Sequence, residues 1–359
     1  MKSIVFVSGG TGGHIYPALY LAEFIKDKDP SILISFIGRR NGIESKIFSE
    51  KFPFYGLSLP KASQLKPWNY VKAYLEGRKI LKKLKPDLLI IFGSYISVPI
   101  LLEAIRRKYP FFLHEQNVFP GKAIRLFNFF SEGVAISFLK TKEYLPKRKI
   151  FYTGNFVRKE LLTMEKASCK KELGFDLDKK LLLVTGGSQG AKRINELVKN
   201  IVPYLIDMNW QILHQIGEEK YKEFMKDINE EWLKKGYRPV PFIKEIEKAI
   251  CASDLAISRA GATTIYQFLV GKLPAIYIPY PYAKDNHQEY NAKFVVECGL
   301  GEVVKEKDLS EEVLLKNILE WNEEKFRLYA QKFDSLALPD ARERFWEIIK
   351  SYLERRNLE

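Results

Sequence analysis

The chain opens twice in the same way. Residues 3–23 read SIVFVSGGTGGHIYPALYLAE and residues 181–198 read LLLVTGGSQGAKRINELV: each is a short aliphatic run, a glycine turn and an amphipathic stretch. A strand apolar on both faces and followed at once by a helix finds cover for both sides in a parallel α/β sheet. Around the first opening, runs at 3–7, 32–37, 88–92 and 111–114 read as strands, with helical periodicity near 15–27, 67–85 and 96–108. Around the second, strands are expected at 181–185, 211–214, 255–258 and 275–278, with helices near 191–206, 262–270 and 285–298. The 359 residues therefore predict two doubly wound parallel-sheet domains in tandem, joined near 154–162. We place the first at 1–157 and the second at 158–337. The apolar helical pattern at 339–353, within a C-terminal segment 338–359, is expected to pack back on the first domain.

Several chemistries lack support. Cys169, Cys251 and Cys298 are far apart and odd in number, so neither a disulfide framework nor a zinc cluster is indicated, and a reducing compartment fits best. His14, His114, His214 and His287 show no metal-ligand spacing. Asp176-Leu177-Asp178 has the D-x-D letters of a metal motif but sits in a lysine-flanked turn. The apolar run 4–7 is too short for a signal peptide, and the run 88–102 is broken by Gly93 and Pro99, so no spanning helix is expected.

Charge is unevenly placed. Residues 1–156 carry 25 Lys and Arg against 11 Asp and Glu, whereas 157–359 carry 33 of each, so the net +14 lies entirely in the first half. Such asymmetry predicts an anionic partner. Within it, residues 61–85 hold eight cations and one acid, with Trp68, Val71, Tyr74, Leu75, Leu81 and Leu84 at helical spacing. A basic amphipathic helix of this kind can lie on an anionic bilayer, and the stretch 122–130 (KAIRLFNFF) can reinforce it. No nucleic-acid-binding pattern accompanies the charge.

The glycine turns aim backbone amides at a ligand, and the helix that follows each adds its positive end, which favours phosphate. Gly10, Gly12 and Ile15 fail the dinucleotide G-x-G-x-x-G pattern. A third such turn is Ser258-Arg259-Ala260-Gly261-Ala262-Thr263-Thr264, and Asp285-Asn286-His287-Gln288-Glu289-Tyr290-Asn291 supplies the carboxamides and carboxylates that sugar hydroxyls need.

Taken together, GGTGGH with Pro17-Ala18, Gly93-Ser94-Tyr95-Ile96-Ser97, His114-Glu115-Gln116-Asn117, Gly154-Asn155-Phe156-Val157-Arg158, GGSQGAKRIN, SRAGATTIYQ and Gln288-Glu289-Tyr290-Asn291-Ala292 resemble, in order and spacing, the MurG family. Its members transfer N-acetylglucosamine from UDP-N-acetylglucosamine to undecaprenyl-pyrophosphoryl-N-acetylmuramoyl-pentapeptide. The resemblance implies a GT-B fold, two Rossmann-like domains facing across a cleft, with the acceptor on the first and the nucleotide sugar mainly on the second. It implies that Ser188 and Gln189 contact the UDP phosphates and that Arg259, Gly261, Ala262 and Thr263 receive uracil and diphosphate. By the same comparison Arg158 binds phosphate, and Asn117, Gln288 and Asn291 lie near the sugar. Thr11, Gly12 and Gly13 also belong to the donor set, while Gly10, Gly12, Gly13, Gly93, Ser94 and Tyr95 form loops for the acceptor diphosphate. Gln267 stands where the family usually has a ribose-binding glutamate; a carboxamide keeps the hydrogen bonds and loses the charge.

The implied reaction inverts the anomeric carbon, giving a β-1,4 linkage, and needs neither cofactor nor metal if helix N-termini and Arg158 take the leaving-group charge. His14, at a helix start that disfavours its protonated form, and Glu115, at a strand end, are alternative general bases. The expected location is the cytoplasmic face of the membrane, peripherally held. Competing readings are a GT-B transferase with another acceptor, a UDP-sugar epimerase and a nonenzymatic binder.

Overall fold

The computed structural model describes residues 2–146, 149–187, 190–335 and 340–356. They fall into two compact units, one of Met1–Val157 with Leu338–Glu359, the other of Arg158–Ala337.

In the first unit, β1 (Ser3–Val7), β2 (Leu33–Arg39), β3 (Phe54–Leu57), β4 (Leu88–Ile91), β5 (Phe111–Glu115), β6 (Gly133–Ile136) and β7 (Ile150–Tyr152) form one sheet in the order β3-β2-β1-β4-β5-β6-β7. All pairs are parallel; Val5 sits opposite Ser35 on one side and Leu89 on the other. Strand order reverses between β1 and β4, which is where ligands bind in such sheets, beyond the carboxyl ends of the strands. Successive side chains of each strand enter opposite cores. Ile4, Phe6, Phe36, Ile90 and Phe112 pack under α1 (Gly12–Lys28), while Val5, Val7, Ile37, Leu89 and Leu113 pack under the opposite layer of helices. That layer includes α3 (Pro67–Leu84), α4 (Val98–Arg107) and α5 (Lys122–Phe127), whereas α2 (Ile43–Ser49) lies on the α1 side, where Phe48 stacks on Phe36 at 4.0 Å.

The helix Ala341–Arg355 belongs to this unit. Ala341, Phe345, Trp346, Ile349 and Leu353 complete the α1-side core. The ring of Phe345 meets Phe112 edge-on at 6.0 Å, and Glu343 pairs with Lys28 at 2.8 Å.

The second unit repeats the scheme. Its strands β8 (Lys180–Thr185), β9 (Trp210–Gln215), β10 (Tyr237–Val240), β11 (Leu255–Ser258), β12 (Ala275–Tyr277) and β13 (Glu302–Val303) run parallel in the order β10-β9-β8-β11-β12-β13. The reversal here lies between β8 and β11. The helices Lys192–Asp207, Ala262–Val270 and His287–Glu297 start where the sequence turns predict them.

Candidate active site

In the first unit three strand ends meet. Beyond β1 the chain turns through Ser8 and the glycines into α1, with Ser8 Oγ donating to the His14 carbonyl at 2.8 Å. Gly9 is required by its neighbour: a Cβ there would stand 2.5 Å from Glu44 Oε1. Glu44 is fully buried, and its carboxylate accepts from Arg39 Nε at 2.9 Å and Nη2 at 3.2 Å. Beyond β4, Ser94 is held at φ 68° and ψ 158°, a conformation few residues other than glycine adopt. A Cβ on Gly10 would be 3.2 Å from Ser94 Oγ, so the two glycine turns lie side by side. Tyr95 OH donates to the Pro60 carbonyl at 2.7 Å. Thr11, the N-cap of α1, makes no side-chain capping bond.

The end of β5 supplies the chemistry. His114, Glu115 and Gln116 are all buried. Glu115 accepts from the amides of Asn117 and Gly121, both at 2.8 Å, and from Asn117 Nδ2 at 3.1 Å. Burial raises its pKa while these donors oppose the shift, and its carboxylate thereby shapes the loop 115–121. The Asn117 carbonyl is in turn held by Thr141 Oγ1 at 3.1 Å. On the other face of β5, His114 and Gln116 connect to His14, whose Nδ1 lies 2.6 Å from Gln116 Oε1. Burial pushes the His114 pKa down to about 3, so this imidazole is neutral.

In the second unit, Ser188 and Gln189 lie outside the described residues. The flanking turn is braced from below by Gln215, which is buried and donates to the Gly187 carbonyl at 2.9 Å while accepting from the Ile243 amide at 2.9 Å. Gly190 has φ +66°, and a Cβ on it would collide with the Ile216 carbonyl. Gly261 caps the helix Ala262–Val270 without a side-chain bond, so Ala262 and Thr263 occupy its first turn. Arg259 turns toward the end of β12: it pairs with Glu306 and donates to the Ile278 carbonyl at 3.2 Å. Asn291, fully buried, donates to the Ala260 carbonyl at 3.1 Å, and Gln288 Oε1 accepts from the Tyr280 amide at 2.9 Å. Gln267 is 8% exposed on the same helix as Thr263. Arg158 pairs with Glu247 at 3.4 Å and keeps 46% of its side chain exposed.

Thus Gly10, Thr11, Gly12, Gly13, His14, Gly93, Ser94, Tyr95, Glu115 and Asn117 gather at the β1, β4 and β5 ends of one unit. Arg259, Gly261, Ala262, Thr263, Gln288 and Asn291 gather at the β11 and β12 ends of the other. The roles of Gln116, Glu44 and Gln215 are not evident from motif reading alone. Gln116 carries a signal, since a strand places residues 114 and 116 on one face; Glu44 and Gln215 act through tertiary contacts with no local pattern. Asp176 and Asp178 make a surface turn in which Asp176 Oδ1 accepts from the Asp178 amide at 3.0 Å.

The amphipathic stripe of α3 divides in two. Ala73, Gly77 and Leu81 face the core, with Tyr74 and Leu84 half-buried beside them. Trp68, Val71 and Leu75 are 62%, 61% and 50% exposed and share the outer face with lysines. The spacing of 3.6 residues per turn separates positions 74 and 75 by about 100°, so a stripe that wide cannot point one way. Leu126, Phe129 and Phe130 are likewise exposed. No helix among the described residues is long and apolar enough to cross a membrane.

Comparison with known proteins agrees with this arrangement. Residues 4–136 match the glycosyltransferase family 28 N-terminal domain and residues 181–350 its C-terminal domain. The chain is 34% identical over 363 residues to the UDP-N-acetylglucosamine–N-acetylmuramyl-(pentapeptide) pyrophosphoryl-undecaprenol N-acetylglucosamine transferase of Acetivibrio thermocellus, covering 98% of each chain. It is 36% identical over 357 residues to the enzyme of that name from Desulforamulus reducens, covering 95% of this chain and 96% of the other. The crystal structure of Acinetobacter baumannii MurG superposes with a TM-score of 0.77 at 25% identity, covering 98% of this chain and 100% of that one.

Proposed function

The chain belongs to the MurG family and so moves N-acetylglucosamine from UDP-N-acetylglucosamine to a lipid-linked muramoyl-pentapeptide; we propose that it does so by a single inverting displacement with His14 as general base. In that step the acceptor 4-hydroxyl loses its proton to an imidazole nitrogen of His14 as its oxygen bonds to the anomeric carbon. The bond from that carbon to the UDP phosphate oxygen breaks, and its electron pair leaves with UDP. The second unit holds the donor, with the N-terminal turn of the helix Ala262–Val270, the glycines at 186, 187 and 190 and Arg158 taking the charge that develops on the leaving diphosphate, without a bound metal. The turns at Gly10 and Ser94 take the acceptor diphosphate in the same manner.

The observation that carries the choice of base is the commitment of Glu115. Three loop donors occupy its carboxylate, whereas His14 sits at the exit of the glycine turn. UDP release measured with and without the lipid-linked muramoyl acceptor tests the activity, and turnover without acceptor would sink it. H14A should cut kcat by about 100-fold or more. The base assignment fails if H14A is nearly wild type while E115Q is dead.

The outer face of α3 and the 126–130 region suit docking on an anionic membrane from the cytoplasmic side. Trp68, Val71, Leu75, Leu126, Phe129 and Phe130 would enter the headgroup layer, and each nearby lysine adds about 1 kcal/mol.

A further inference from the structure

A chain of hydrogen bonds crosses the first unit from a backbone carbonyl to His14. Its anchor is the Gly154 carbonyl, which lies 3.2 Å from His114 Nε2 and can only accept. The His114 proton is therefore on Nε2, and its Nδ1 is an acceptor. Gln116 Nε2 meets that Nδ1 at 2.8 Å and also the His114 carbonyl at 3.0 Å, so two acceptors orient the same amide end. The other end, Gln116 Oε1, faces His14 Nδ1 at 2.6 Å and, as an oxygen, can only accept. The proton between them belongs to His14 Nδ1. The middle of the relay is packed in: Phe92 and Phe156 pack on the His114 ring at 5.2 and 4.4 Å, Phe345 lies 6.4 Å away, and Gln116 is 2% exposed.

We propose that Gln116 and His114 are positioning residues that fix His14 in the tautomer with its proton on Nδ1, so that Nε2 carries the lone pair that accepts the hydroxyl proton. The proposal rests on the reading of His14 as the base. A carboxylate at position 116 would orient the ring too, but would add a charge beside it; the carboxamide orients it with none of its own. The proton taken up at Nε2 leaves His14 doubly protonated, with Nδ1 still donating to Gln116 Oε1, so the relay itself exchanges no proton during the step.

Selective labelling of imidazole nitrogens reads the tautomer directly, since the chain has only four histidines. In the full-length protein at a pH where His14 is neutral, long-range proton–nitrogen correlation should show Nδ1 protonated and Nε2 bare. In Q116L this pattern should average or reverse, and kcat should fall by about 10–100-fold while the KM for UDP-N-acetylglucosamine stays within about threefold. H114N places an amide oxygen where Nδ1 stood and should retain at least about tenfold more kcat than H114L, a contrast that holds even if Q116L folds poorly. An unchanged His14 pattern in folded Q116L, or equal kcat in H114N and H114L, overturns the relay. The His14 reading fails separately, if H14A keeps its kcat; the tautomer spectra then still decide the relay as a hydrogen-bonding arrangement.

Discussion

His214 in the second unit makes a quantitative test of how burial governs this fold. It sits on β9 with no exposed surface, 3.0 Å from Tyr237 OH at Nδ1 and 3.2 Å from Asn195 Oδ1 at Nε2. Asn195 Nδ2 donates to the Ile216 carbonyl at 2.9 Å, so its oxygen accepts, Nε2 of His214 carries the proton and Nδ1 accepts from the tyrosine. Burial pushes the His214 pKa down from 6.5 to about 3. The unfolded chain therefore binds a proton that the folded chain refuses: the contribution is present above pH 6.5 and is lost progressively as pH falls toward 3. Between pH 7 and pH 5 the unfolded side chain goes from mostly neutral to almost fully charged while the native one stays neutral, which costs about 2 kcal/mol at roughly 1.4 kcal/mol per pH unit. Hydrogen exchange of the β8 and β9 amides follows this unit without requiring the whole chain to unfold in one step. H214Q should be less stable than wild type at pH 7, yet its further loss on going to pH 5 should be smaller by about 2 kcal/mol. Parallel pH dependences in the two proteins, within about 0.5 kcal/mol, would refute the buried-neutral account.

Two further outcomes follow from the geometry. G190A combines a left-handed φ with a collision against the Ile216 carbonyl, so the backbone at position 190 must shift; the KM for UDP-N-acetylglucosamine should rise at least about tenfold while hydrogen-exchange protection of β1 and β4 is unchanged. Replacing Trp68 and Leu75 together by aspartate should leave thermal stability nearly unchanged, because both side chains are outside the core, but abolish salt-sensitive cosedimentation with anionic vesicles. Equal sedimentation of this variant and wild type would remove α3 from the membrane face.

The sequence makes the parallel-sheet units legible because their strands are apolar on both faces and are punctuated by glycine, a local signal that needs no tertiary context. The edge strands β3, β7, β10 and β13, and β6 next to β7, escape it: Phe54–Leu57 is only partly buried, and Tyr237–Val240 contains Pro239, which propensity assigns elsewhere. The site is legible to the same extent. Glycine turns and the His114–Asn117 run are visible, but the division of labour within that run is not, because Glu115 and Gln116 differ by the face of β5 on which they project. Only the positions of Asn117, Gly121, His14 and Gly154 around them separate a loop-shaping carboxylate from an orienting carboxamide. The outward turn of Trp68 and Leu75 is similarly set by what α3 packs on, through Ala73, Gly77 and Leu81.

The helix Ala341–Arg355 also has a consequence for biosynthesis. Its Phe345, Trp346 and Ile349 fill a core whose other walls are made from residues before 157. During translation those walls leave the ribosome early and wait, with an apolar trough open, while the 158–337 unit emerges as one uninterrupted piece able to close its own core. The unit made first is thus the one finished last. A messenger cut short before codon 341 yields a nascent chain whose later unit is sound and whose earlier one is a sticky, unfinished sheet, a product that chaperones and proteases will recognise.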